Sequence, residues 1–463
     1  MFAALDWKVR SCIKACNGWA KTSNDGKGTP FRAMPHNPTQ GDSPRSIAFG
    51  APVVHAANDK RIRLGIIRLT DTAPVVIAKE LGFFAEEGLD VTLSVEPSWA
   101  NVADKITYGH LDGAVMLPAL AIAVSLGLRG AAAPLIVPLS LSLNGNTVTL
   151  SNEFAAGLEA GREGESPAAL AKRLGAFIGA RKRAGGSVPR IAVVHAFSTH
   201  NLLLRHWLAA GGISPGGDVL LPVLPPSQMA EALRSGEIDG FCAGAPWGEV
   251  ALRAGAGRTA VTSRDIWNNH PEKVFALSRR FAERRPDAVP QLLRALLRAA
   301  QFCDNPQNNY EVAALLARRD YVGVHVDAIF ASLPKPVPER SHGANRSVFF
   351  AHAASFPWPS HALWFLGELK RWGYVAADTP DEAATKLYRP DLYRSAAAGT
   401  GICVPIDNSK TEGTHATEWL LPAYPTAIAM APDLFCDGTV FDPAASERTG
   451  FAPDPLTSAH AKR

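Results

Sequence analysis

From Arg61 onward, short apolar runs alternate with stretches whose apolar residues recur every three or four positions. "RIRLGIIRL" (61–69) reads as a strand, and "DTAPVVIAKELGFFAEEG" as a helix with Asp71 or Thr72 as its cap, Pro74 in the first turn and Gly88 as its stop. "DVTLSVEP" is the next strand, "SWANVADKITYG" a short helix, and "LDGAVML" a third strand running into "PALAIAVSLGL". This βαβαβ order predicts a mainly parallel sheet covered by helices.

The rhythm then repeats. "RIAVVHA" (190–196) is a strand, "STHNLLLRHWLAAGG" a helix and "DVLLPVLP" a strand; "SQMAEALRSG" is a helix and "IDGFCAG" a strand that enters "APWGEVALRAG". The phrases "YGHLDGAVMLPAL" and "SGEIDGFCAGAPW" open the third strand of each copy with Asp-Gly. Asp112 and Asp239 are read as turn or cap residues ahead of ligands. Two similar α/β lobes follow from the duplication.

"NTVTLS" (146–151) and the polar stretch 152–189 carry the chain from lobe one to lobe two, and "GRTAVTS" with "KVFALS" carry it back. Beyond Arg280, several stretches have helical periodicity and are expected to pack on the first lobe. The resulting division is 1–58 as a disordered or degraded export segment and 59–150 as the first part of lobe one. Lobe two takes 151–262, the return to lobe one with its helical extension 263–400, and an irregular tail 401–463.

With 463 residues, 47% of them hydrophobic, the chain can bury large cores. Its formal net charge of +4 comes without a Lys/Arg run, which argues against nucleic acid as a partner. The six cysteines lack CxxC spacing, so a zinc or disulfide framework is weakly supported. No stretch approaches the roughly 20 apolar residues of a membrane span.

In open α/β sheets ligands collect beyond the carboxyl ends of the strands, where helix starts present free N–H groups. That rule selects Trp99 after "DVTLSVEP", His200 after "RIAVVHAF", Gly244 at the end of "IDGFCAG", and Asn144 and Asn146 in the crossing "LNGNT". Two facing helix starts favour an anion, and an apolar indole with amide and imidazole donors suits a small planar oxyanion. Lys273, at the return crossing, is the candidate cation. Each has a plainer reading: Trp99 as a cover for the sheet edge, His200 and Lys273 as surface residues. The spacing of His195, His200 and His206 does not share a helical face, which argues against a metal site, and no cofactor is implied. Neither G-x-S-x-G, a P-loop nor a paired-carboxylate arrangement stands out, which argues against catalysis.

These stretches together resemble the nitrate/bicarbonate-binding family, the solute-binding subunits of ABC importers. The residues carrying the resemblance include "LGIIRLTDTAPVVIAKELGFFAEEGLDV", "SWANVADK", "LNGNTVTLS", "FSTHNLLLRHWLAAGG", "NHPEKVFAL" and "SFPWPSHALWFLGELKRWGY". The resemblance implies a type II periplasmic-binding-protein fold whose lobes close on a nitrate-type anion, with ABC permease and ATPase subunits as partners. It implies a location in the periplasm or on the outer face of the inner membrane. By position it assigns ligand contacts to Trp99, Asn146, His200, Gly244 and Lys273, with Lys273 neutralising charge. Two departures stand out. Asn146 replaces a common Gln, and Ala245 removes a carboxylate found in many members, which by itself favours an anion. The N-terminus lacks the family's usual export signal, as does a cytoplasmic branch that senses nitrate or nitrite and holds an antiterminator regulator. That sensor is the alternative function. Enzymes on the same fold, the thiamine-pyrimidine synthases, need a cysteine-rich motif that is not found here.

Overall fold

The repeated rhythm folds into two separate sheets. A computed structural model describes residues 60–158, 164–334 and 346–445; the stretch 1–58, with Cys12 and Cys16, lies outside them. The first copy supplies β1 (Ile62–Ile67), α1 (Ala73–Glu80), β2 (Val91–Glu96), α2 (Trp99–Thr107), β3 (Gly113–Met116), α3 (Pro118–Ser125) and β4 (Leu135–Leu143). The second supplies β5 (Asn146–Ser151), β6 (Ile191–Val193), α4 (Thr199–Ala210), α5 (Met229–Arg234), β7 (Gly240–Gly244), α6 (Trp247–Arg253) and β8 (Gly257–Thr262). β9 (Pro271–Ser278) returns to the first sheet, and α7 (Ala288–Asp304) and α8 (Pro359–Arg371) follow. Sheet one runs β2-β1-β3-β9-β4 and sheet two β6-β7-β5-β8.

Neither sheet is as parallel as the rhythm predicts. β1 is parallel to β2 and β3, but β9 is antiparallel to both β3 and β4. In sheet two only β6 and β7 are parallel, and β5 is antiparallel to β7 and β8. The crossing strands enter each sheet from the other lobe, so they run against its local direction. β5 lies wholly in sheet two, which puts the crossing at Asn144–Gly145 rather than within "NTVTLS". The expected strand "DVLLPVLP" is reduced to isolated bridges, Arg190 with Leu220 and Val193 with Val223. Its prolines have no N–H to give a ladder.

The twin Asp-Gly phrases do the same work in each lobe. Asp112 accepts the Arg63 N–H at 2.9 Å, and Asp239 the Arg190 N–H at 2.8 Å, so each ties the start of a third strand to the start of a first.

Burial holds these elements in place. Val75, Val76 and Ile77 of α1 and Leu292, Leu293 and Leu296 of α7 are wholly buried on one face of sheet one. Each such side chain contributes roughly 1.5–3 kcal/mol. On α2 the buried residues are Trp99, Val102, Ala103 and Ile106, the spacing of one helical face. Ser98 caps α2 by accepting the Asn101 N–H at 3.3 Å, and Ser198 caps α4 by accepting the Asn201 N–H at 3.0 Å. These two caps place Trp99 and His200 at helix starts.

α8 packs on α3 in lobe one, and the segment just after it also reaches lobe two. The Arg205 guanidinium of α4 lies over the rings of Trp372 and Tyr374, 5.2 and 5.6 Å from their centroids. Over its described residues, 401–445, the tail is more ordered than its Gly/Pro content predicts. It forms two short ladders, Val404–Pro405 with Ala423–Tyr424 and Trp419–Leu421 with Ile428–Met430.

Candidate functional site: a buried charge cluster between the sheets

Trp99, Asn146, His200, Gly244 and Lys273 come from five different elements, and all five are buried around one point between the sheets. Lys273 Nζ is at its centre. It lies 5.7 Å from the Trp99 ring centroid, 3.0 Å from Asp71 Oδ2, and in contact with Glu272 Oε1. Asn146 Nδ2 donates to Glu272 Oε2 at 2.6 Å, and His200 Nε2 is 3.6 Å from Glu272 Oε1. Asp71 Oδ1 in turn accepts the Ser142 hydroxyl at 3.0 Å.

Backbone permits this crowding at two glycines. A Cβ on Gly244 would stand 3.4 Å from both Asn146 Oδ1 and Asp71 Oδ2. Gly145, at φ 99°, makes the crossing turn, where a side chain would meet Ser347 Oγ at 2.9 Å.

Two members of the cluster escape sequence reasoning. Asp71 was expected as a helix cap, but neither it nor Thr72 makes a capping bond, and the Asp71 carboxylate turns to Lys273 instead. Glu272 precedes Lys273 on one strand, where alternation would send them to opposite faces. The β4–β9 register slips there: Ser142 pairs with Lys273 and Leu143 with Pro271, leaving Glu272 as the extra residue of a bulge. A bulge re-aims side chains, and both now face the same point. The "PEK" triplet at the return crossing was the available signal, since an acid beside the candidate cation marks its neutralising partner.

The electrostatics are those of a dry site. Burial, then the charge of Lys273, holds the His200 imidazole well below its ordinary pKa, so it is neutral. Burial likewise takes His270 down to about 3. Burial opposes the Lys273 charge, but Asp71 and Glu272 more than offset it and its pKa is raised. Glu272 goes the other way. Burial lifts it, the lysine pulls it back and Asp71 repels it, leaving it at about 7.

Several polar atoms here have no hydrogen-bond partner: Trp99 Nε1, both ring nitrogens of His200, and Asn146 Oδ1. Buried polar groups are ordinarily paired, and each one left alone costs about 1–3 kcal/mol. A neutral imidazole offers one N–H, so the indole and the imidazole present two unspent donors beside an ammonium. Such a set fits the oxygens of a small anion. Asn146 Nδ2 gives one N–H to Glu272, and its Oδ1 has no partner. Among the described residues no group of three or more His, Cys, Asp or Glu could hold a metal ion.

The lobes are shut over the cluster. Thr70 N–H donates to the Ala245 carbonyl at 2.8 Å, and the Trp247 indole to the Arg68 carbonyl at 2.9 Å, each bond joining one lobe to the other.

Two α/β lobes, each on its own mixed sheet, hinged by crossing strands and closed over unspent donors, define a solute-binding protein of the periplasmic-binding-protein fold. The chain belongs to the NMT1-like family, whose model matches residues 55–317. It is 33% identical to the nitrate/nitrite binding protein NrtA of Synechococcus elongatus, over 93% of this chain and 91% of the relative. The crystal structure of the periplasmic nitrate-binding protein NrtA from Synechocystis superposes with a TM-score of 0.71 at 29% identity, covering 85% of this chain and 97% of that one. The chain is also 38% identical to the nitrate import ATP-binding protein NrtC of Synechocystis, over 73% of its own length but only 50% of that relative's. Among the described residues no helix is long and apolar enough to cross a membrane.

Proposed function

We propose that this chain is the solute-binding component of an ABC importer and traps nitrate, or a closely related small planar monoanion, between its lobes. One observation carries the reading: indole and imidazole nitrogens without partners converge beside a buried ammonium, between two lobes that can part. In this reading Lys273 supplies the positive charge, and Trp99 Nε1 and His200 donate to the oxygens. The Trp99 ring bounds the plane, and Gly244 leaves room for the ligand against the strand end. Asn146 orients Glu272 by donating to its Oε2. The chain has no catalytic role; it binds, closes and hands the anion, at the outer face of the inner membrane, to the permease of an importer driven by ATPase subunits. Closure follows from tighter binding to the shut form.

Calorimetry of the full chain with nitrate, nitrite, bicarbonate and cyanate tests this. Saturable binding of one anion per chain is expected, with nitrate among the ligands. The absence of heat with all four overturns it.

A further inference from the structure

Two carboxylates share one ammonium in this cluster. Asp71 and Glu272 each contact Lys273 Nζ, and neither side chain is open to solvent. His200 and His270 are the other titratable groups against Glu272, at 3.6 and 3.7 Å, and both are held neutral. Cys242 of β7 lies within its field as a neutral thiol, pushed upward by burial and by Glu272 itself. Asn146 of β5 gives Glu272 an N–H, and Thr199 of α4 gives its carbonyl a hydroxyl. The formal balance of the charged groups is therefore minus one before any ligand arrives. A second negative charge in a site this dry finds no further counterion among the described residues of the cluster.

We propose that the site takes its anion together with a proton, and that Glu272 is the seat of that proton. The inference rests on the anion-binding reading above. Protonation removes one of the two carboxylate charges and releases Lys273 from Glu272, so that the ammonium turns to the ligand. It also converts Glu272 from an acceptor into a donor, adding an O–H to the indole and imidazole N–H groups that face the anion oxygens. Glu272 fits this role. Burial already lifts Glu272 to about 7, one step from protonation, and the incoming anion lifts it further. Lys273, its own pKa raised, stays charged through the range in which Glu272 titrates.

The test is calorimetry of the full chain with sodium nitrate at pH 8, in two buffers of different ionisation heat. About one proton taken up per nitrate is expected, with affinity falling about tenfold per unit as pH rises from 8 to 9. Glu272→Gln should still bind nitrate, with no proton uptake and an affinity flat across the same range. Infrared difference spectra of the wild-type chain give a second readout that needs no variant, a protonated-carboxyl band gained on nitrate addition. Buffer-independent heats in the wild type overturn the inference, as does the lack of that band. Uptake that persists in Glu272→Gln places the proton elsewhere, on His200, and overturns it too. Absence of any nitrate heat removes the anion reading itself, a result distinct from binding without a proton.

Discussion

The molecule contains two buried clusters built from nearly the same residues. In the cleft, Lys273 lies over Trp99 at 5.7 Å beside Glu272 and His200; in the C-terminal extension, Lys410 lies over Trp358 at 5.7 Å beside Glu412 and His361. The second is balanced. One lysine meets one carboxylate, His361 Nε2 donates to Glu412 at 2.7 Å, and Lys410 with His361 holds Glu412 below its ordinary range against the burial that would raise it. The first carries a surplus carboxylate, a Glu272 raised to about 7, and an imidazole with neither nitrogen paired. Burial, cation, acid and aromatic ring are common to both and therefore do not define a site. What separates them is how much is left unmet: His361 pairs Nε2 and leaves only its Nδ1 without a partner, while His200 pairs neither nitrogen and Trp99 Nε1 stands unpaired beside it.

The lysines probe that contrast most strongly. Lys410→Ala strands a buried carboxylate and should cost about 3–5 kcal/mol of stability, read by denaturant unfolding, while nitrate affinity of the folded fraction stays unchanged. Lys273→Ala should abolish measurable nitrate binding, with a loss of at least tenfold, about 1.4 kcal/mol, as the minimum. Equal loss of affinity in both variants would erase the distinction.

Titration separates the two acids by sign. Glu412 is depressed, so its contribution to stability is present above the unfolded pKa and is lost as pH falls through the folded one. Glu272 is raised to about 7, so in ligand-free protein stability falls as pH climbs from its unfolded pKa toward 7, and the cost is complete above that. Thermal unfolding between pH 5 and 8 should show Glu272→Gln gaining on the wild type as pH rises, by up to about 1.4 kcal/mol per unit. A constant gap would mean that Glu272 titrates normally.

His200→Ala removes an unspent donor and should weaken nitrate at least tenfold, about 1.4 kcal/mol, with little change in unfolding. His361→Ala should do the reverse. The smallest effect belongs to Trp99→Phe, which keeps one aromatic ring near Lys273 and deletes the unpaired indole N–H together with the second ring. A loss of about 1 kcal/mol in nitrate affinity is expected from calorimetry.

Local pattern was enough to locate most of the architecture. Alternating strands and helices, Ser98 and Ser198 at the helix starts, and the repeated Asp-Gly phrases all depend on neighbours within a few residues, and periodicity records such neighbours. The strand-end rule then gathered Trp99, His200 and Gly244 from separate stretches, because a sheet brings its carboxyl ends to one edge whatever the loops between them. Strand direction was less accessible: β5 and β9 run antiparallel since each belongs to a sheet entered from the opposite lobe.

Chain order alone thus dictated two lobes, their helix starts and the aromatic and imidazole groups at the cleft. Only folding in three dimensions decided the charge of that cleft. Asp71 had a local role open to it as a cap, and Glu272 a local direction away from Lys273; a contact across the crossing in one case, and a bulge in the β9 ladder in the other, overrode both. Electrostatic balance at a buried point sums groups distant in sequence, and no window along the chain contains that sum.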